Sequence, residues 1–320
     1  MTVERNTGRR AHDPRWILWP LALILAVILF VGGPGYRPPR SIAAAWDLGH
    51  VVAFSLWSYL LVSWKPVAGR SVPGQWGMVL ASCLVAGSAI EGIQWVIGGD
   101  VSAGDIFRDI VGAVTTLSWF APSAKKLGSR VRRAARILTA VLLIFASVPL
   151  VAALSDETIA RFQFPALSDF ETPLETDRWE GIGDARFSVS RSLARHGKAS
   201  LQVEMGTSLY SGVFLVYFQR DWRGYRFLKM DVLNPSPEGI VVTCRIHDRL
   251  HEEGEQRYED RFNRTFRLPP GWSDIRIDLG ELARAPEGRE MDLAGIRAVG
   301  LFATGLQRNR TIYLDSVRLE

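Results

Sequence analysis

The sequence predicts a two-part chain: a bundle of about five membrane-spanning helices followed by an all-β sandwich or jelly roll. The first half carries uncharged apolar runs that are long enough to cross a bilayer. The second half carries short strands of alternating apolar and polar residues, separated by Gly, Pro, Asn and Asp turns. We therefore expect a cytoplasmic tail at residues 1–15, a helical domain at 16–154, a linker at 155–168 and a β-sandwich at 169–320.

Apolar runs define the predicted spans, because about 20 apolar residues cross the hydrocarbon core and shorter runs suffice with polar flanks. The runs cover residues 16–31, 47–64, 76–97, 106–120 and 137–154. A cleaved signal peptide is the competing interpretation of the first run. Its only small-residue triplet, at 43–45, lies too far downstream for cleavage, so we expect an uncleaved anchor.

Basic residues are concentrated in alternate connections. Residues 1–15 and 121–136 are rich in Arg and Lys, whereas 98–104 contains neither. The positive-inside rule then predicts a multi-pass membrane protein with a cytoplasmic N-terminus and an extracytoplasmic β-sandwich. The net charge of +5 mostly reflects this bias, so no nucleic-acid partner is expected. The absence of a phosphate loop or dinucleotide fingerprint likewise argues against a nucleotide partner.

Polar pairs interrupt the apolar runs at helical spacing. The pairs are Asp47 with His50, Glu91 with Gln94, and Asp105 with Asp109. A spacing of three or four residues puts each pair on one helix face. A charge costs roughly 2.5–3.5 kcal/mol at the bilayer centre, so such residues face a bundle interior or an aqueous cavity. The predicted topology brings all three pairs to the same outer-leaflet depth.

Several roles are open for these pairs. His50, Glu91 and Asp109 are candidates for acid–base catalysis or for a zinc or manganese site. Alternatively, these residues together with Asp47, Gln94 and Asp105 line a binding pocket for an envelope ligand such as a lipid-linked sugar. The simplest alternative is helix capping, in which Ser102 caps a helix and Asp105 lies in its first turn, with Asp47 in a similar position.

Three sequence blocks carry a resemblance to a known family. They read D-L-G-H-V-V-A-F at 47–54, E-G-I-Q at 91–94 and D-V-S-A-G-D-I-F-R-D-I-V-G at 100–112. The chain resembles the VanZ-like bacterial membrane proteins over its first half, although that family often has Asn near Asp109 and Arg near Gly99. The resemblance implies a link to glycopeptide-antibiotic resistance and to envelope polysaccharide loci. It assigns no reaction, so an enzyme and a non-catalytic accessory protein both remain open.

Nine segments of the second half have the two-residue periodicity of strands, which predicts a β-sandwich. They are ARFSVS, ASLQVEM, GVFLVYF, FLKMDVL, IVVTCRI, RTFRL, DIRIDL, AVGLFAT and TIYLDSVRLE. Cys244 lies in one of them and has no cysteine partner in this half of the chain, so we expect it to be buried.

The blocks at 169–171 (DFE), 196–203 (HGKASLQV) and 313–319 (YLDSVRL) resemble carbohydrate-binding modules and galactose-binding-like jelly rolls. That resemblance implies a possible structural calcium ion held by Asp169, Glu171 and Asp315. It also implies an envelope glycan or a lipid-linked precursor as ligand. The aromatic residues available to stack on sugar rings are Trp222, Tyr225, Tyr258 and Trp272. A core position is the alternative for each of these four.

One densely charged segment, residues 247–261, is harder to assign. His247, Asp248 and His251 suggest a metal or catalytic site, but the segment has no apolar face. We therefore expect a solvated loop or a sheet edge.

Overall fold

The structure is a computed structural model that describes residues 18–22, 24, 25, 28, 35, 37–96 and 102–320. The chain divides into two compact units, Met1–Val151 and Ala152–Glu320. The first is helical and the second is mostly β-sheet, as predicted.

The helices of the first unit follow one another with short connections. In the described part they are α1 (Arg40–Ser63), α2 (Lys65–Ala68), α3 (Val72–Val96), α4 (Ala103–Thr115) with a π-helical turn (Thr116–Phe120), and α5 (Ser129–Gln163), which a 3-10 turn (Pro122–Lys126) precedes. Helix α1 ends at Ser63 because Trp64 is extended, with φ −76° and ψ 130°, and Pro66 then lies in the first turn of α2, where its missing N–H is tolerated.

Three of the described helices, α1, α3 and α5, are long and apolar enough to cross a membrane. They correspond to the second, third and fifth predicted spans. Half of the first predicted span, 16–31, is described (residues 18–22, 24, 25 and 28), and these residues are helical. The fourth corresponds to α4 and its π-helical turn, which together fall outside the set of three.

The last helix corrects the expected linker. Helix α5 continues past residue 154 to Gln163, so residues 155–163 are helical. At 35 residues it is about 52 Å long, well beyond the roughly 30 Å of a hydrocarbon core. Asp156, near its end, binds the fully buried Arg178 of the second unit through Nε at 3.0 Å and Nη2 at 2.8 Å. The end of the helix is therefore part of the second unit.

The close contact between α1 and α4 depends on Gly112. A Cβ atom at this position would lie 2.5 Å from the Val51 carbonyl oxygen and 2.9 Å from the Ser55 amide nitrogen. Two hydroxyls bridge the same contact. Ser55 Oγ donates to the Gly112 carbonyl at 3.0 Å, and Thr116 Oγ1 donates to the Ser55 carbonyl at 2.7 Å. Small residues at a helix interface permit such an approach.

The second unit contains two antiparallel sheets. Its strands are β1 (Ala166–Ser168), β2 (Trp179–Ile182), β3 (Arg186–Ser190), β4 (Ser200–Met205), β5 (Tyr210–Leu215), β6 (Phe227–Asn234), β7 (Ile240–Asp248), β8 (Phe262–Leu268), β9 (Gly271–Asp278), β10 (Ile296–Thr304) and β11 (Arg310–Leu319). One sheet has the order β3-β4-β11-β6-β9, with β1 paired to β11. The other has the order β2-β5-β10-β7-β8.

All nine predicted strands are confirmed, and two more are present. Strands β1 and β2 have only three and four residues, which is too short for alternation to be recognised in the sequence. Alternate residues of both sheets, such as Leu201 and Val203 of β4 and Val213 and Leu215 of β5, form a single buried core. Cys244 is buried in it, as expected.

Candidate functional site

A buried histidine–aspartate pair joins α1 to α4. His50 Nδ1 lies 3.0 Å from Asp109 Oδ1, and both side chains are almost completely buried. Gly87 of α3 makes room for the carboxylate, because a Cβ there would lie 2.5 Å from Asp109 Oδ2. Three helices thus enclose Asp109. A carboxylate that accepts Nδ1–H fixes the imidazole tautomer and leaves Nε2 as a hydrogen-bond acceptor.

The second polar contact is an arginine held between two acids. Arg108 Nη2 lies 3.0 Å from Asp47 Oδ2, and its Nη1 lies 2.6 Å from Asp105 Oδ1. Because α1 and α4 each supply one carboxylate, the guanidinium holds the ends of the two helices together. It also leaves this group of charges with a net charge of −1, counting one arginine against two acids.

The Glu91–Gln94 pair makes different contacts from the other two predicted pairs. Glu91 is buried, and its Oε2 accepts a 2.7 Å hydrogen bond from the Ser102 backbone amide. Ser102 occupies the N-cap position of α4, but its side chain makes no capping hydrogen bond. The expected Ser102 hydroxyl cap is therefore absent. Gln94 Oε1 is buried without a hydrogen-bond partner among the described residues.

An apolar cavity adjoins this cluster. Its volume is about 220 Å³, and it is lined by Ala22, His50, Ala53, Phe54, Trp57, Ala86 and Ile90. Among the described residues that line it, His50 is the ionisable one. In the described part of the chain, Asp109 is the hydrogen-bond partner of His50 Nδ1, which leaves His50 Nε2 available to a ligand in the cavity.

Of the six predicted residues, His50 and Asp109 are in direct contact, and Arg108 links Asp47 to Asp105. Glu91 instead accepts from the Ser102 amide, and Gln94 contacts none of the other five in a described hydrogen bond. Sequence reasoning missed Arg108, although a basic residue inside a predicted span indicates a carboxylate partner. In the described ranges, no three His, Cys, Asp or Glu side chains converge as metal ligands. The zinc or manganese alternative therefore has no side-chain cage in that part.

The sandwich corrects one predicted sugar-binding residue directly. Trp222 is fully buried in the core, and its Nε1 donates to the Gln219 carbonyl, so it cannot stack on a sugar. Tyr225 packs edge-on against Phe164, with ring centroids 5.4 Å apart. Trp272 is half-buried on the six-stranded sheet, and Tyr258 is exposed beside the Arg261 guanidinium.

The outer face of the five-stranded sheet carries an aromatic platform that sequence reasoning missed. Phe214 lies across Gly300 of the neighbouring strand, where a Cβ would be 2.3 Å from its ring. Phe302 in turn lies against Gly212, which opposes it directly. Tyr210 meets Phe302 edge-on at 5.7 Å and is 51% exposed. We call Tyr210, Phe214 and Phe302 the aromatic platform, in which Tyr210 is the exposed ring, Phe214 is half-buried and Phe302 lies beneath Tyr210 at 8% exposure.

Polar groups flank the aromatic platform in strand register. Arg245 opposes Gly300 on the side away from Phe214, and its guanidinium carbon lies 5.4 Å from the Phe214 ring centroid. Glu180 opposes Phe214 from the other side, and Asn263 opposes Arg245. One row across the sheet therefore presents an aromatic ring between a carboxylate, a guanidinium and an amide.

Beside Arg245, a buried network occupies part of the segment at 247–261, whereas residues 249, 250 and 253–259 are exposed as expected. His247 and Asp248 end strand β7, and His251 lies in the short helix α6 (Arg249–Glu253); all three are buried. Arg245 Nη2 lies 3.4 Å from His251 Nε2. Because arginine can only donate, Nε2 accepts and Nδ1–H faces Asp260 at 3.3 Å. Burial and the charge of Arg245 lower the pKa of His251, so the ring is neutral at pH 7.

Arg289 closes the same network from the opposite side. It lies 2.6 Å from Asp248 and 2.5 Å from Asp260. The Arg289 hydrogen bond lowers the pKa of Asp260, and the same guanidinium outweighs the effect of burial to lower the pKa of Asp248. These ion pairs give His251, Asp248 and Asp260 a structural role at the end of strand β7. They leave no metal cluster in the described part of the segment.

The proposed calcium ligands are occupied by other partners. Asp315 Oδ2 accepts from the Arg195 and His196 amides, and Glu171 Oε1 accepts from the Lys198 and Ala199 amides. Asp169 instead lies against Gln163, with an N–O distance of 3.2 Å. Although Asp315 Oδ1 is buried without a hydrogen bond in the described part, the three carboxylates do not form one cage. The set does not fit a single calcium ion.

Comparison with known proteins bears on the second unit alone. No known family profile matches the chain, and no curated protein matches it. The sandwich is similar to a family 11 carbohydrate-binding module from Clostridium thermocellum, solved in complex with a β-1,3-1,4-mixed-linked tetrasaccharide. The identity is 16% over 48% of this chain and 93% of that chain, with a TM-score of 0.39.

Two further solved structures are similar over the same share of the chain. A CBM22-1 xylan-binding domain from Paenibacillus barcinonensis is 16% identical over 48% of this chain and 93% of that chain, with a TM-score of 0.34. An exo-β-agarase is 18% identical with a TM-score of 0.40, and only 24% of that chain is covered. All of these scores are low, so the account of the site rests on its own side chains.

Proposed function

We propose that this chain is an integral membrane protein of a bacterial envelope whose exported β-sandwich binds a glycan through the five-stranded sheet. The membrane part of the proposal is supported by the three helices of spanning length and by the basic bias of alternate connections. It includes five spans, a cytoplasmic N-terminus and an extracytoplasmic sandwich. VanZ-like membership remains part of the proposal and rests on the three sequence blocks.

The observation that carries the glycan proposal is the aromatic platform. Pyranose rings present flat apolar faces, and exposed aromatic rings bind such faces while neighbouring polar groups receive the hydroxyls. Tyr210 is exposed above Phe302, and Arg245, Glu180 and Asn263 lie within one or two strands. Glycines at two cross-strand positions let the rings lie flat along the sheet.

The six-stranded sheet has an aromatic row of its own on its outer face, with Tyr313 and Trp272 on either side of Leu233, and both rings are half-buried. Its outward residues are joined by ion pairs, including Lys229 with Glu320 at 2.7 Å and Arg195 with Asp231 at 2.6 Å. The guanidinium carbon of Arg276 lies 3.5 Å from the ring centroid of Phe227. Trp272 is its only tryptophan and is half-buried, which makes it a matched control position for Tyr210.

Glycan binding is tested with the full chain in a zwitterionic detergent, because maltoside and glucoside detergents would themselves compete as sugars. The wild type is expected to bind members of a panel of envelope glycans, and Tyr210→Ala to weaken that binding about tenfold or more. Trp272→Ala is expected to keep it. Equal loss in both variants, or no binding anywhere on the panel, would contradict the proposal.

A second candidate function is acid–base chemistry at the intramembrane cluster. The observation that favours it is the His50–Asp109 pair beside the apolar cavity, because a buried carboxylate that orients an imidazole is the arrangement of a general base. Glu91 belongs to this candidate as a buried acid. The substrate would be an envelope glycolipid whose chain enters the cavity.

This candidate predicts a chemical change in lipid extracts incubated with the protein, followed by mass spectrometry. Asp109→Asn is expected to abolish the change because Asn holds the wrong imidazole tautomer, a substitution that costs on the order of 10⁴-fold in serine proteases. Asp47→Asn, which loosens only the Arg108 contact, should keep most of it. Identical extracts with wild type and Asp109→Asn would leave the cluster as a binding or packing element.

A further inference from the structure

A polar cavity, distinct from the apolar one beside His50, lies at the other end of α4. Its volume is about 370 Å³. It is lined by Trp119 of the π-helical turn and by Ser129, Arg132, Arg133, Arg136, Ile137 and Ala140 of α5. Trp119 follows Asp105 by 14 residues, or about 20 Å of helix. The distance between the cavity and the acidic cluster is therefore about two thirds of the roughly 30 Å thickness of a hydrocarbon core.

The three arginines of this cavity have no acidic partner among the residues that the structure describes. Within the described residues, no carboxylate lies within ion-pair distance of Arg132, Arg133 or Arg136, and α5 has no acidic residue in its first turn. Like charges repel at this spacing, and the helix dipole adds positive potential at the same end. Such a concentration of positive charge favours a bound anion.

One arginine is held in place before any ligand arrives. Arg136 Nε donates to the Ser118 carbonyl at 3.3 Å, and its guanidinium carbon lies 4.9 Å from the Trp119 ring centroid. These contacts leave its Nη groups as the donors that can reach a ligand. Arginine binds phosphate oxygens with paired donors, and a fixed guanidinium loses little entropy when it does so.

The lining of the cavity changes from basic to apolar along α5. Ile137 and Ala140 follow the arginines by one turn, and the exposed Leu138, Val141 and Ile144 continue the helix surface. Trp119 is 47% exposed beside them, where an interfacial tryptophan is expected. A ligand that fits this gradient has an anionic head and a hydrocarbon tail.

We propose that this cavity binds the phosphate head group of an anionic phospholipid, with an acyl chain along the apolar surface of α5. The inference rests on the proposed membrane placement, in which residues 121–136 face the cytoplasm. The three guanidinium groups neutralise the phosphate, and the Ser129 hydroxyl is available as a further donor. Basic segments at the cytoplasmic surface attract anionic lipids with about 1 kcal/mol per charge, so two arginines correspond to roughly a 30-fold effect.

The test uses the full chain in a neutral detergent and a maleimide dye that reacts only when buried thiols become exposed. Cys83 and Cys244 are both buried, so Cys244→Ser leaves Cys83 as the sole reporter of the helical unit. Phosphatidylglycerol, phosphatidylcholine and inorganic phosphate are titrated separately. Phosphatidylglycerol is expected to raise the melting temperature of the helical unit, with phosphatidylcholine and inorganic phosphate having little effect.

A matched pair of variants decides whether the cavity is responsible. Arg132→Gln with Arg133→Gln is expected to raise the half-maximal phosphatidylglycerol concentration roughly 30-fold. Lys126→Gln with Arg130→Gln removes the same charge from exposed positions outside the cavity lining and should change it several-fold less. Equal responses of the two pairs would overturn the inference, and so would equal stabilisation by inorganic phosphate.

Failure of the membrane proposal would give a different result. Detergent-free extraction would then recover the chain in the aqueous phase, whichever lipid it prefers. A chain that needs detergent but shows no preference for phosphatidylglycerol would overturn the lipid site alone.

Discussion

At the scale of single residues, two neighbouring carboxyl groups of the sandwich have opposite properties. Glu175 is buried, which would raise its pKa, but the Arg178 guanidinium and the Phe170 amide outweigh burial and lower the pKa. Asp169, only half-buried, lies beside this permanent charge. Burial and the Glu175 charge raise the pKa of Asp169 to about 6. Below about pH 6 the sandwich therefore favours an ionised Glu175 beside a protonated Asp169.

This difference predicts a pH-dependent effect of Asp169→Asn. A carboxyl whose pKa is raised in the folded state stabilises below its unfolded pKa of about 3.9, and that stability is lost as the pH rises through about 6. Asn cannot ionise and keeps the acceptor for Gln163. The variant should match the wild type in melting temperature near pH 4 and exceed it by a few degrees at pH 8.

Differential scanning fluorimetry of both proteins across this range measures the effect. Asp177→Asn is a nearby control that removes the same charge at an exposed position, and it should show no comparable gain in melting temperature at pH 8. A wild type that is more stable than Asp169→Asn at pH 8 would contradict the assignment.

At the scale of elements, packing of helices and strands depends on glycines that allow close approach. Gly112 lets α1 reach α4, and Gly300 lets the ring of Phe214 lie on the sheet. Neither role is visible in the sequence, because a glycine signals only that space or unusual backbone geometry is needed. The partner that fills the space comes from residues that are distant along the chain.

Gly112→Ala should destabilise the helical unit. Its new methyl group would meet backbone atoms of α1, which cannot move without separating the helices, and overpacking of this kind costs about 1–3 kcal/mol. Gly77→Ala is the matched control, since nothing lies within 4 Å of its added Cβ. The control should gain up to ~1 kcal/mol from helix propensity. Thiol-reactive dye melting of Cys83 measures both, and equal melting temperatures would contradict close α1–α4 packing.

At the scale of the whole molecule, much of the architecture follows from periodicity. Runs of apolar residues predicted α1, α3 and α5, and two-residue alternation predicted nine of the eleven strands. The prediction failed where an element was unusually short or unusually long. Strands β1 and β2 are too short to show alternation. Helix α5 continues past its apolar run to Gln163, and Asp156 in this extension binds Arg178.

The candidate sites were less accessible to sequence reasoning. Helical spacing predicted that each polar pair shares a helix face, and the predicted topology put all three pairs at one depth. Neither could identify Arg108 as the link between Asp47 and Asp105. The aromatic platform was missed because strand register decides which rings are neighbours, and register is a property of the paired strands. Trp222 was misassigned because aromatic residues suit both a core and a binding surface.

The central claim is that the outer face of the five-stranded sheet binds a glycan, and carbene footprinting tests it most directly. The full-length protein is labelled in sugar-free detergent with and without the glycan that binds best, and the labelled peptides are quantified. We expect reduced labelling of Tyr210–Leu215, with unchanged labelling of Gly271–Asp278 on the other sheet. Reduced labelling confined to Gly271–Asp278, or unchanged labelling of both strands at saturating glycan, would contradict the claim.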